Sequence, residues 1–184
     1  MKQVNLIVLL LLSTIAGNAQ PGASFPEKRI FNNACARFAI DEKPNIPADS
    51  NLIAIWKMKE DVDEHNYFVM ERYDRYNFLF TYMNKGGSNR TYEHVRVFFS
   101  NIGNTEFLNL QYEDRDKIGY CFLKVTDHDS RGWDMTLSLV TDTTLKNITS
   151  REALRERLTK NINNPGYYAK PVHFHKKLPL MYCK

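Results

Sequence analysis

This 184-residue chain contains no catalytic signature. It lacks the Gly-x-Ser-x-Gly elbow of a serine nucleophile, the His-Glu-x-x-His pair that grips zinc, a phosphate-cradling glycine loop and a Cys-x-x-Cys pair. No catalytic residue, metal or cofactor is therefore expected, and a binding or structural role is favoured over an enzymatic one. It also lacks an excess of one charge: 25 Lys and Arg face 21 Asp and Glu, interleaved along the chain. Nucleic-acid binding, which needs a basic stripe, is not expected. Nor is there a run of about 20 apolar residues able to span a bilayer. The best attempt, Val4 to Ile15, is short and interrupted by Asn5, Ser13 and Thr14.

That short run has another meaning. Lys2, the apolar stretch Leu6 to Leu12, and Gly17-Asn18-Ala19 before Gln20-Pro21 form the charged, apolar and small-residue segments of a secretory signal peptide. Cleavage is expected after Ala19, delivering a soluble periplasmic or secreted protein. No cysteine follows the apolar run closely enough to carry a lipid.

An exported chain meets oxidising conditions, so its three cysteines matter. Cys121 sits within an apolar strand, whereas Cys35 and Cys183 flank the main pattern. The expected bridge is Cys35 to Cys183, with three reduced, packed cysteines as the alternative.

Residues 20–50 carry Pro21, Pro26, Pro44 and Pro47 and hold no sustained period. About 30 residues cannot bury a core of their own, so they are read as an arm laid across the body. Residues 51–184 form the domain. Runs rich in Tyr, Phe, Val, Ile and Thr occupy 52–58, 66–73, 78–83, 91–99, 106–112, 118–126 and 134–141. The connectors between them carry the Gly, Asn and Asp of tight reversals, the pattern of an antiparallel meander.

One helix is predicted, from about Ser150 to Ile162. Thr149 and Glu152 have capping-box spacing, Ala153, Leu154 and Leu158 give an apolar stripe, and Asn163-Asn-Pro-Gly166 stops it. A closing strand over 169–176 follows. The fold class is mainly β: an antiparallel up-and-down β-barrel of about eight strands, with one helix before the last. Closure removes the unpaired edges of an open sheet; a β-sandwich is the competing architecture.

Aromatic residues make up 12% of the chain. They either fill a β-rich core or line a cavity. Phe78, Phe80 and Tyr82 share a face of the third run, and with Tyr67, Tyr120 and Phe122 they are the candidate ligand-binding residues for a small hydrophobic molecule. His173 and His175 share a strand face at a spacing seen in metal sites, but Lys170, Lys176 and Lys177 beside them favour a solvated basic strand. Asp127-His128-Asp129 belongs to a polar hairpin connection.

The tryptophan of Ala54-Ile55-Trp56 on the first strand, followed by meander, helix and closing strand, resembles lipocalin-like proteins of the calycin type. Residues 102–110, 149–154 and 163–168 look like segments of exported bacterial barrels, and the leader ending Ala19-Gln20 like those of Bacteroidetes. Two departures stand out: lipocalins usually carry glycine where Ala54 stands, and they place their helix after eight strands. The resemblance implies a basic residue over the tryptophan, either Lys176 or Lys177. It also implies an interior holding a small hydrophobic ligand; the alternative is a ligand-free barrel whose surplus apolar strand faces bury a partner.

Overall fold

The computed structural model describes residues 34–59, 66–84, 91–114, 117–128 and 133–179. The expected leader and Cys183 lie outside these residues. Alternating apolar and polar side chains drive eight strands: β1 Ala54–Met58, β2 Asn66–Arg72, β3 Phe78–Asn84, β4 Thr91–Ile102, β5 Thr105–Asp114, β6 Lys117–His128, β7 Asp134–Leu139 and β8 Val172–Pro179. Each pairs antiparallel with the next, and β1 pairs with β8, so the barrel is closed. The architecture expected from the sequence is the one found, and the sandwich is excluded.

Strand alternation sorts the two faces. Ala54, Trp56 and Met58 point inward from β1, and the inward set continues through Phe68, Phe80, Val97, Leu110, Leu123, Leu137 and Phe174. Gly103 turns the β4–β5 hairpin at φ 58°, a left-handed conformation that a residue with a Cβ resists.

The arm works harder than its composition suggests. β7 stops at Leu139, leaving the upper part of β6 without a neighbour on that side; Ala36 fills the gap by exchanging backbone hydrogen bonds with Tyr120. Beside that bridge Cys35 is disulfide-bonded to Cys121. This corrects the Cys35–Cys183 expectation: Cys121 sits on the strand that the arm joins, which brings the two Cα atoms to 4.5 Å. The chain then descends the outer wall. Ile40 N–H donates to Asn109 Oδ1 (3.1 Å), and Asn109 in turn donates to Phe98 O (3.1 Å) and Ser100 Oγ (2.9 Å). Finally Ala48 and Leu52 join the interior cluster and plug the lower end.

Between β7 and β8 the chain leaves the sheet to form α1, Arg151–Asn161. Ser150, not Thr149, caps it, its hydroxyl accepting from Ala153 N–H at 3.1 Å. Leu154 and Leu158 are buried while Ala153 is exposed, so the stripe is narrower than predicted. Arg155 clamps α1 to the arm and to β4: it donates to Ile40 O (3.3 Å), Asp41 Oδ1 (2.6 Å) and Asn101 O (3.0 Å). At the other end of α1, Lys124 Nζ donates to Ile162 O at 2.7 Å, a cation against the negative end of the helix.

Asp142 ties the β7–α1 connection to the helix. It accepts from Thr144 N–H (2.9 Å), Thr144 Oγ1 (2.6 Å) and Arg157 Nε (2.8 Å). Burial pushes its carboxyl up, but these donors outweigh burial and hold it below the ordinary carboxylate range. A carboxyl depressed in the folded state stabilises above its unfolded value of about 4, and that contribution is lost as pH falls through the folded value. Asp142→Asn is expected to cost about 2 kcal/mol at pH 7. Thermal melts from pH 7 to pH 2 will show a shallower decline for the variant than for the wild type, because it has no such contribution to lose.

Candidate functional site

The inner wall of the barrel is aromatic at its centre. Phe68 stacks on Phe80 with ring centroids 5.2 Å apart and meets Phe174 edge-on at 5.4 Å. Phe78 meets Phe99 edge-on at 5.9 Å. A side chain beside a void large enough for water keeps surface accessible to it. Phe68, Phe78 and Phe174 are 0% exposed and Phe80 1%. These rings pack against one another and their neighbours.

The candidate ligand residues therefore divide. Phe78 and Phe80 lie inside; Tyr82 pairs with Phe68 in the β2–β3 register, and its side chain is outside the described residues. Tyr67 belongs to the outer face of β2, since its neighbour Phe68 points inward. Tyr120 and Phe122 also face outward, beneath the arm and α1, in a second cluster with Ile40, Phe107, Leu154 and Leu158. Burial raises the Tyr120 phenol above its usual value. These three do not line the interior; the strand period sends them to the opposite face, and in the cases of Tyr120 and Phe122 the protein's own chain covers them.

The lower end is built around Trp56. Its indole Nε1–H donates to Leu52 O at 3.1 Å, in the short 3-10 turn Ser50–Leu52 that leads into β1. Lys176 lies over it, with Nζ 5.7 Å from the Trp56 ring and 5.7 Å from the Trp133 ring, and donates to Asn51 O. The amine is thus held by two π faces and a carbonyl, which makes its burial at 7% exposure tolerable. Lys176, rather than Lys177, is the basic residue over the tryptophan. It is not part of a solvated strand.

The upper end differs. Tyr112 of β5 and Gly119 of β6 are cross-strand partners, and the Tyr112 ring lies where a Cβ on residue 119 would stand. Gly119 is buried, whereas Tyr112 is half-buried. The glycine makes a shelf into which the tyrosine folds.

On the outer wall His175 Nδ1 lies 3.1 Å from Asp134 Oδ1, and His173 Nδ1 lies 3.0 Å from Thr136 Oγ1. Each histidine thus faces its cross-strand partner on β7. Among the described residues no group of three or more His, Cys, Asp or Glu is arranged to hold a metal ion. Also among them, no helix is long and apolar enough to cross a membrane.

No known family model matches this chain, and neither a curated protein nor a solved structure matches it. The lipocalin likeness consequently rests on architecture: a closed eight-stranded up-and-down barrel with Trp56 on β1 and Lys176 above it. The helix before β8 remains a departure from that pattern.

Proposed function

We propose that the protein is an exported lipocalin-like binding protein for a small hydrophobic ligand, taken up at the barrel end opposite the plug. The difference between the two ends carries this reading. The lower end is occupied by Ala48, Leu52, Trp56 and Lys176, while the upper inner wall finishes in Gly119, with a half-buried tyrosine folded over it. In this reading Tyr112 swings off Gly119 and the ligand enters beside the Cys35–Cys121 bond, which belongs to the interior cluster. Export is supported by the leader and by the Cys35–Cys121 bond, which suits an oxidising compartment. A bacterial origin of Bacteroidetes type is part of the same reading.

The test combines extraction of the native protein with a panel of fluorescent hydrophobic probes. Stoichiometric binding is expected, and Tyr112→Ala is expected to tighten it about fivefold, because about 1 kcal/mol of displaced contact no longer opposes entry. Empty extracts together with no saturable probe binding in either protein would end this reading. A second reading, a ligand-free barrel that serves as an interaction or structural module, is favoured by the near-zero exposure of Phe68, Phe78 and Phe174. It predicts the empty result and an assembly larger than a monomer in light scattering.

A further inference from the structure

We infer that the outer seam between β1 and β8 is a second binding site, for the phosphate or sulfate group of a small organic monoester. A cleft of about 480 Å³ lies over this seam, lined by Lys57, Met58, Lys59, Asp134, His175 and Lys177. Its charged lining lies on the outer wall and shares only Met58 with the interior cluster, so it does not depend on the hydrophobic-ligand reading. Its volume falls within the roughly 300 to 1,000 Å³ typical of small-molecule sites, several times the size of a bare oxyanion. The ligand is therefore expected to carry an organic body, which the aliphatic stems of the lysines can flank.

Three features make the cleft an anion receptor. Three lysines face one carboxylate in its lining, a surplus of two positive charges. The acid is already engaged: Asp134 Oδ1 sits 2.8 Å from Lys59 Nζ and 3.1 Å from His175 Nδ1. Those donors hold its carboxyl below the usual range, so it stays ionised and fixes both groups in place. Lys57 and Lys177 have no acidic partner among the described residues.

The sheet also sets the two unpaired lysines on opposite sides of the seam. Lys57 of β1 is the direct cross-strand partner of His175 on β8, two residues before Lys177. Lys177 arises from a β-bulge: Lys176 pairs with Trp56 and Leu178 with Ile55, leaving Lys177 as the extra residue. Strand alternation sends Lys176 inward to the tryptophan and Lys177 outward, and the bulge leaves Lys177 in the cleft without a partner of its own on β1. A bound dianion would bridge the two unpaired lysines from opposite strands.

The experiment titrates the full exported protein with inorganic phosphate, inorganic sulfate and glucose 6-phosphate, following the His175 ring by NMR and heat by calorimetry. Saturable shifts of the His175 ring are expected with all three. The sugar phosphate should bind at least about tenfold more tightly than the free ions, about 1.4 kcal/mol from its organic body. In Lys57→Ala/Lys177→Ala, affinity is expected to fall at least about tenfold, while Lys170→Ala, an exposed control, retains it. If free phosphate binds as tightly as the ester, the organic-body part is wrong and the site is one for the ion alone. Shifts that never saturate, or a double variant that binds like the wild type, would overturn the site itself.

Discussion

Replacing Cys121 by serine, or reducing its bond to Cys35, is expected to lower stability by about 4 to 5 kcal/mol. The bond closes a sequence separation of 86 residues, and constraining a loop of that size in the unfolded chain accounts for an effect of this order. A further loss follows from the position of the bond. The arm supplies the missing neighbour of upper β6 through the Ala36–Tyr120 bridge, and the disulfide holds it there. Without it, the Ile40 segment keeps its hydrogen bonds to Asn109 and Arg155 and its packing in the outer cluster but loses its covalent tie to β6. Urea unfolding of wild type, reduced wild type and Cys35→Ser/Cys121→Ser will measure the difference. Hydrogen exchange should quicken first at Tyr120, whose N–H donates to Ala36 O. A loss below 1 kcal/mol with unchanged exchange would mean that the arm holds its place by packing alone.

Trp56→Ala is expected to cost about 4 kcal/mol, within the range for removing a large aromatic side chain from a core. Three penalties coincide. The cavity opens beneath the plug, Leu52 O loses its indole donor, and Lys176 loses one of its two π faces while remaining buried. Trp56→Phe keeps one aromatic ring and loses the N–H with part of the indole volume, so about 2 kcal/mol is expected. Lys176→Met fills much of the same volume without a charge and leaves only Asn51 O without its lysine donor; it should resemble Trp56→Phe more than Trp56→Ala. Chemical denaturation of the three variants checks the order. If Lys176→Met is as damaging as Trp56→Ala, the ammonium contributes more than its carbonyl bond and ring contacts explain.

The strands were legible because period-2 alternation and turn residues are local properties. β2 and β3 fall within one residue of their expected limits, and α1 within one residue at each end. The arm's partners were not legible, because they depend on where β7 ends. Once β7 stops at Leu139, Tyr120 and Cys121 require a neighbour, and that neighbour comes from the other end of the chain. The division of aromatic residues was half-legible. Alternation already separated Tyr67 from Phe68, and Tyr120 and Phe122 from Cys121, but apolar residues on both faces masked which one was inside. Asn109 gave no signal at all: a lone asparagine in a strand reads as solvated, and only the fold reveals it buried beneath Ile40. The basic seam was visible as composition around His175 and Lys177, yet its cleft required the β1–β8 closure and the bulge that leaves Lys177 without a partner on β1.

The arm that completes the wall also sets an order of events during biogenesis. A chain synthesised from its N-terminus presents Cys35 and Asp41 early, yet their partners follow 86 and 114 residues later, at Cys121 and Arg155. The arm must therefore wait, unpaired and with a reactive thiol, until nearly the whole barrel has emerged. Such long-range closure slows folding. During that interval the Cys35 thiol stays open to other pairings, and its bond to Cys121 forms only where an oxidant is present.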